Sequence, residues 1–501
     1  MRLKQKISYS KVMIKQIKLK IILKQKFENS IIFVLMEIQF LGAAQTVTGS
    51  KHLITTIEHK KILLDCGLFQ GKGSSEGTQN RVFNFDPASI DFLILSHAHI
   101  DHSGNIPNLV KQGFKGAIIC TPATADLCKI MLSDSAHIQT NDLKFVNKRR
   151  IKRGETPLEP LYEMEDVEQS LKQIITVNYN ENFNVCENVK LVFTDSGHIL
   201  GSAAVNLTIN EGNVIKNLCF TGDIGRYDGS ILKDPQPFPQ ANYIIAESTY
   251  GDRLHTDNTM SEKQLLDVVY NTCVVKKGKL IIPAFSLGRT QEVVYALDQL
   301  ASKKKLPKIN VYVDSPLSIN ATNIMREHEE CFNEDIIEYM KNDEDPFGFN
   351  NLIYVKTVEE SKNLNSIKEP CIIISASGMI EAGRIKHHVA NNIGNPKNTI
   401  LIVGYAEPHS IGGKLRNGDK VIKIFGEEHQ VYADVVVLDS YSAHGDYEEM
   451  INYLNCQNKS KVKQIFLVHG EYPTQVNYKE RLLDAGFKHV LIPAFGDIVK
   501  I

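Results

Sequence analysis

Ser96-His97-Ala98-His99-Ile100-Asp101-His102-Ser103-Gly104 decides how the rest of this sequence is read. It follows the apolar run Phe92-Leu93-Ile94-Leu95, which has the length and composition of a buried strand. His97, His99, Asp101 and His102 place four potential ligands within six positions. Groups this dense cannot all be satisfied as ordinary core residues, because burying unpaired imidazoles and a carboxylate costs several kcal/mol. A divalent zinc removes that cost, and neutral imidazole nitrogen with carboxylate oxygen is a donor set it accepts.

Working outward, the same arrangement recurs. Strand-like runs lie at 61–65, 92–96, 189–194, 218–222 and 243–247, then at 280–285, 310–314, 371–375, 399–405, 435–438 and 465–469. Helical patterns fall between some of them, as over Thr290 to Ala301, and this alternation predicts layered α/β structure. Polar residues able to do chemistry directly follow the strands: Asp65, His97, Asp195 to His198, Asp223, Glu247 and His469. Layered α/β folds gather their sites at strand ends. Residues 140–170 read as a charged helical insertion containing Lys148-Arg-Arg-Ile-Lys-Arg153. That basic run fits a solvated helix face and a phosphate-binding patch equally.

The chain has 501 residues with 57 Lys+Arg against 58 Asp+Glu, a formal net charge of -1. The near balance is uneven. Arg2 and eight lysines fall before Phe27, ahead of any acid, and the remainder carries 48 bases against 58 acids. Binding nucleic acid through global positive charge is therefore excluded, and a local patch would be needed. With 43% hydrophobic and 23% charged residues, disordered, collagen-like and coiled-coil chains are excluded too. No apolar run reaches the length of about 18 that spans a bilayer. Nine scattered cysteines without a CxxC predict free thiols and a cytoplasmic protein. Residues 1–35, rich in Lys, Ile and Gln, are read as a disordered or non-native extension, with Met36 as the start.

In order, Asp65, the HxHxDH run, His198 and Asp223 resemble the successive motifs of the metallo-β-lactamase superfamily. About 190 residues with their own α/β pattern separate Glu247 from His444. The flanks of that insert, Glu247-Ser-Thr-Tyr-Gly-Asp-Arg253 and Tyr441-Ser-Ala-His-Gly-Asp446, resemble the β-CASP ribonucleases, as does Leu467-Val-His-Gly-Glu471. Glu247, His444 and His469 match motifs A, B and C. The resemblance runs over essentially 36–501, in a short bacterial form without an added RNA-binding domain. It implies an αββα metallo-β-lactamase sandwich with an inserted α/β β-CASP domain: 36–251 and 442–501 for the two parts of the sandwich, 252–441 for the insert.

The resemblance also implies two zinc ions, with His97, His99 and His198 on the first and Asp101, His102 and His469 on the second. Asp223 would bridge them, and Asp65 would orient a ligand or the attacking water. The implied activity is zinc-dependent hydrolysis of single-stranded RNA to 5′-phosphate and 3′-hydroxyl ends, in endonuclease or exonuclease mode, for RNA processing or decay. His444, oriented by Glu247, would be the general acid. DNA-directed members of the group carry an apolar residue at motif C, so His469 points to RNA. Two segments of the insert are expected to touch the RNA backbone. One is the strand-turn-helix start Ile282-Pro-Ala-Phe-Ser-Leu-Gly-Arg289. The other is Ser375-Ala-Ser377-Gly378, whose small residues let backbone amides approach phosphates. The paired His387-His388 reads as solvated or packing residues on a helix. A hydrolase of a small ester or thioester and a non-catalytic RNA-binding scaffold are the alternatives, and a homodimer is the one protein partner considered.

Overall fold

The computed structural model describes residues 35–70, 78–212, 214–255, 261–404, 406, 408–438 and 443–501. Of the expected extension, residues 1–35, all but Leu35 lie outside the described residues. Two seven-stranded sheets and one six-stranded sheet organise the chain, with a small hairpin, Val421–Ile424 and Glu427–Gln430, beside the third.

The first sheet runs from Ile498–Lys500 through Glu37–Phe40, His52–Thr55, Lys61–Leu64, Phe92–Ile94 and Ala117–Cys120 to Ile174–Thr176. The second runs from Val490–Leu491 through Gln464–Leu467, Tyr243–Ala246, Val214–Phe220, Ala203–Glu211 and Val189–Asp195 to Phe183–Cys186. Their inner faces meet in one apolar layer that includes Ile38, Phe40, Ile62, Phe193, Val205, Phe220 and Phe466. Helices Tyr447–Leu454 and Tyr472–Asp484 cover the outer face of the second sheet through Met450, Tyr453, Tyr478 and Leu482. Helices Ile106–Lys111 and Pro122–Lys152 cover the first. These are the four layers of an αββα sandwich.

The third sheet, ordered Leu352–Tyr354, Asn310–Val313, Cys371–Ser375, Leu280–Pro283, Thr399–Val403 and Asp434–Leu438, is parallel throughout. Its central strands Leu-Ile-Ile-Pro, Cys-Ile-Ile-Ile-Ser and Thr-Ile-Leu-Ile-Val are buried at every position. Unbroken apolar runs of this kind are what parallel strands covered on both faces require. The insert is anchored to the sandwich by a shared core that includes Ile199, Ile231, Leu287, Met325 and Phe332. His328 adds a polar tie, its Nε2–H donating to Asp126 on the long helix at 3.0 Å.

The expected helix over 140–170 differs in its bounds. It begins at Pro122, with Thr121 as N-cap accepting from the Thr124 amide and Pro at the first turn, and ends at Lys152. Gly154, at φ 74°, and two prolines then turn the chain back, and a separate helix starts at Met164 behind a Glu163/Asp166 capping box.

Phe466 sits fully buried between the sheets, 5.3 Å from the Phe40 ring. Phe466→Ala is expected to lower the stability of the sandwich by about 3–5 kcal/mol, read by urea unfolding. A loss under roughly 1 kcal/mol would contradict this packing.

Candidate metal centre

Strand ends deliver every candidate ligand. The strand Phe92–Ile94 leads into Ser96 and His97, and His99 precedes the one-turn helix Ile100–Ser103 that carries Asp101 and His102. Val189–Asp195 and Val214–Phe220 lead to His198 and Asp223, Tyr243–Ala246 to Glu247, and Gln464–Leu467 to His469. Asp223, Glu247 and His469 follow three neighbouring strands of the second sheet, and His198 follows Val189–Asp195, which Ala203–Glu211 separates from them.

Two groups of side chains converge, each with its ligand atoms within 4.8 Å of one another: His97, His99, His198 and Asp223, and Asp101, His102 and His469. His99 Nδ1 lies 3.2 Å from both His97 Nε2 and His198 Nε2. Asp223 Oδ2 stands 3.5 Å from His97 Nε2 and 3.4 Å from His198 Nε2. Its Oδ1 stands 3.3 Å from His102 Nε2 and 3.7 Å from His469 Nδ1. Oδ1 is buried without a hydrogen bond of sound geometry. Ligands of a tetrahedral zinc at 2.0–2.1 Å stand roughly 3.3 Å apart, so these separations suit a metal. The donor set of imidazole nitrogen and carboxylate oxygen suits one as well.

The imidazoles are aimed by partners on their other nitrogens. His102 Nδ1–H donates to Asp65 Oδ2 at 2.6 Å, and His198 Nδ1–H donates to the Ala443 carbonyl at 3.2 Å. His97 Nδ1 lies 3.0 Å from Ser96 Oγ, and His469 Nδ1 lies 3.0 Å from Thr249 Oγ1. Asp65, at φ 58°, also accepts from the Ser96 amide at 2.8 Å, Ser96 Oγ at 3.0 Å and Ser50 Oγ at 3.1 Å. Burial pushes His99 down to about 4 and holds His97 and His198 well below their ordinary range, so all three offer neutral lone pairs. Burial would raise the Asp101 and Asp223 carboxyls, but the surrounding imidazoles reverse this and keep both ionised.

Beside these groups, Glu247 is fully buried and accepts from the Ile224 amide through Oε1 and the Thr249 amide through Oε2. His444 Nδ1–H donates to Glu247 Oε1 at 3.2 Å and lies 3.9 Å from Asp223 Oδ2. Burial alone would lower the His444 pKa, yet the Glu247 carboxylate outweighs it and raises the value to about 9. Its backbone is held from the far side, where His255 Nε2–H donates to the His444 carbonyl at 2.9 Å.

The four expected RNA contacts lie on the insert. Arg289 opens the helix Arg289–Ser302 and pairs with Glu292. Gly288, at φ 78°, brings that helix start against Ile199, next to His198. Ser375 is fully buried and donates to the Asp314 carbonyl at 2.7 Å. Ser377 Oγ accepts from the Glu381 and Ala382 amides, and Gly378 packs against the Phe285 ring where a Cβ would collide. His388 is buried, donating from Nε2 to Asp314 at 2.6 Å, and His387 is exposed.

Sequence reasoning missed the orienting groups Ser50, Ser96, Thr249, His255 and the Ala443 carbonyl. It also missed Lys51, whose buried ammonium ties the Gly49 and Gly67 carbonyls at 3.0 and 2.5 Å beneath Asp65. Only proximity to a motif could have flagged Ser96 and Thr249, and a backbone carbonyl leaves no sequence signal.

Comparison with known proteins agrees with this architecture. Residues 54–219 match a model of the metallo-beta-lactamase superfamily domain, 290–415 the Beta-Casp domain, and 428–493 the Zn-dependent metallo-hydrolase RNA specificity domain. The last segment supplies strands Gln464–Leu467 and Val490–Leu491, so it lies partly within the sandwich. This chain belongs to the β-CASP family of the metallo-β-lactamase superfamily. It is 32% identical over 451 residues to Ribonuclease TTHA0252 of Thermus thermophilus, covering 90% of this chain and 95% of that one. It is 30% identical to an RNase J-like protein of Methanocaldococcus jannaschii, over 93% of this chain and 99% of the relative. Transcription termination factor FttA of Methanosarcina mazei is 31% identical over 86% of this chain, which spans 66% of that longer protein. A solved protein of unknown function from Enterococcus faecalis V583 shares the fold at TM-score 0.50 and 12% identity, over 93% of this chain and all of that one.

Since the folded chain gathers these ligands and the unfolded chain does not, a divalent metal should raise the melting temperature. At a free concentration 100-fold above Kd the stabilisation is about 2.7 kcal/mol. Chelation should reverse it, and Asp223→Ala should abolish most of it. Identical melting with and without chelator would contradict the site.

Proposed function

We propose that this chain is a zinc-dependent ribonuclease that hydrolyses phosphodiester bonds of single-stranded RNA, leaving 5′-phosphate and 3′-hydroxyl ends. The observation that carries the reading is the Glu247–His444 pair beside the metal-ligand cluster. A small-ester hydrolase has an easier leaving group to expel and no use for an inserted domain and a carboxylate-backed imidazole. A scaffold has no use for a complete ligand set.

Two zinc ions are the proposed complement, one held by His97, His99 and His198 and one by Asp101, His102 and His469, with Asp223 between them. Zinc bound there supplies positive charge for the phosphate oxygens and a water acidic enough to ionise near pH 7, roughly. The chain's own groups do the rest. Asp65 fixes the His102 ring, and Thr249 fixes that of His469. Glu247 keeps His444 protonated, so its Nε2–H is the proton delivered to the departing 3′-oxygen. Such general acid catalysis is typically worth ~10²–10⁴-fold. Arg289, Ser377 and Gly378 are the proposed backbone contacts of the insert, and Ser375, buried with its hydroxyl on the Asp314 carbonyl, holds the 376–378 turn instead. A cytoplasmic location, supported by nine free thiols, and a homodimer complete the proposal.

His444→Ala should retain its metal and lose about 10²–10⁴-fold in kcat. Full activity in that variant would remove His444 from the mechanism. The general acid must be protonated, so activity falls as pH rises through its pKa. Because Glu247 raises that pKa, Glu247→Gln should move the alkaline limb of the kcat profile to lower pH. An unmoved limb would contradict the pairing.

A further inference from the structure

One feature of the fold lies outside this chemistry. The helix Pro122–Lys152 is 31 residues long, about 46 Å at 1.5 Å per residue. Its first turn touches the ligand loop, where Thr121 and Thr124 both donate to the Gly201 carbonyl, at 2.6 and 2.8 Å. Its far end carries Lys144, Lys148, Arg149, Arg150, Lys152 and Arg153 against one acid, Asp142, in a chain that is otherwise acidic.

The returning segment covers only one side of that end. Asn147 exchanges two hydrogen bonds with Leu158, at 2.8 Å each, and Arg150 holds Glu155 at 2.9 Å and the Thr156 carbonyl at 2.9 Å. Leu143 is buried on the same side. Two adjacent stripes at four-residue spacing stay outside: Lys144, Lys148 and Lys152, and Phe145, Arg149 and Arg153. All six are exposed, with Phe145 68% exposed. Cations in a last turn are favoured by the helix dipole, but Lys144 and Lys148 lie before that turn. Like charges four apart oppose helix stability, and an exposed aromatic ring gains nothing from water.

One cation of the insert acts on this end of the helix: burial raises the Asp142 carboxyl, and the Lys386 ammonium, in the helix Ile385–Asn392, opposes it. Lys386 lies 5.2 Å from the Phe425 ring, and His387 stacks on that ring at 4.6 Å. Phe425 is 56% exposed, and the Ser377 turn lies just before this helix.

We propose that the distal face of the long helix, with Lys386, His387 and Phe425, is a second binding track for single-stranded RNA. It holds the part of a strand that extends beyond the metal-ligand cluster. Cations spaced along a surface with exposed rings between them suit a phosphate backbone with stackable bases, whereas a protein partner would favour a more apolar face. The proposal rests on the ribonuclease reading for its ligand, and its test is kept separate from that reading.

The test uses uridine oligomers and the metal-loaded protein in a His444→Ala background, where the RNA survives. An oligomer of about 5 nucleotides can reach the metal-ligand cluster but cannot also cover the roughly 35 Å from Pro122 to Phe145, which one of about 25 can. Changing Lys144, Lys148, Arg149, Lys152 and Arg153 to Gln keeps good helix formers at exposed positions. This variant should bind the long RNA on the order of tenfold more weakly relative to the short one, with a salt slope smaller by up to roughly 3.5, at about 0.7 for each of the five cations removed. Phe145→Ala alone should weaken the long RNA by roughly fivefold. Equal losses for both lengths, or none for the long RNA, would overturn the track. The latter result would assign the face to another macromolecule. Cleavage of the short RNA by the unaltered protein reads the ribonuclease proposal independently.

Discussion

One carboxylate, that of Asp223, turns one oxygen toward His97 and His198 and the other toward His102 and His469. Both sheets of the sandwich contribute to that convergence. The first sheet brings the HxHxDH segment, and the second brings His198, Asp223 and His469. Only a sandwich whose two sheets end at one edge can set them face to face. So many buried imidazoles and carboxylates are not tolerable as ordinary core groups, and the neutral histidines show how burial resolves the conflict. His97, His99 and His198 stay uncharged with lone pairs inward, the state a metal requires, whereas at His102 burial is outweighed by the Asp223 and Asp65 carboxylates, which raise it.

The second constraint is orientation. Asp65 sits in a left-handed conformation at the end of its strand and gathers Ser50, Ser96 and His102. Glu247 plays a similar part for His444, with both its oxygens also satisfied by backbone amides. A carboxylate whose oxygens are committed in this way is held in one orientation, and it fixes the imidazole it faces. The insert contributes at a distance. Its helix start at Gly288 rests against Ile199, so the surfaces proposed for RNA are fixed to the loop that carries His198.

Much of this was legible in the sequence because the determinants are local. HxHxDH after an apolar run fixes a strand, a turn and four ligands in the eleven residues from Phe92 to His102, and the buried parallel strands read directly as unbroken Ile and Val runs. What stayed illegible is long-range. Nothing near His444 announces that His255, on a different segment, donates to its carbonyl, and nothing near His198 announces the Ala443 carbonyl. The long helix illustrates a boundary problem. Its basic end signalled charge and helix, but its start lay in Ala123, Leu127 and Leu132, whose burial depends on packing against the first sheet. Ser375 shows that a small residue beside a phosphate-like turn can be a structural support, its hydroxyl spent on the Asp314 carbonyl.

The claim that joins these parts is that the cluster hydrolyses RNA through bound metal. Incubating the purified, metal-loaded chain with end-labelled single-stranded RNA and determining the chemistry of the product ends tests it most directly. Fragments with 5′-phosphate and 3′-hydroxyl ends that vanish on chelation and return with zinc are the expected result. RNA left intact by the metal-loaded chain, or cleaved equally well after chelation, would contradict it.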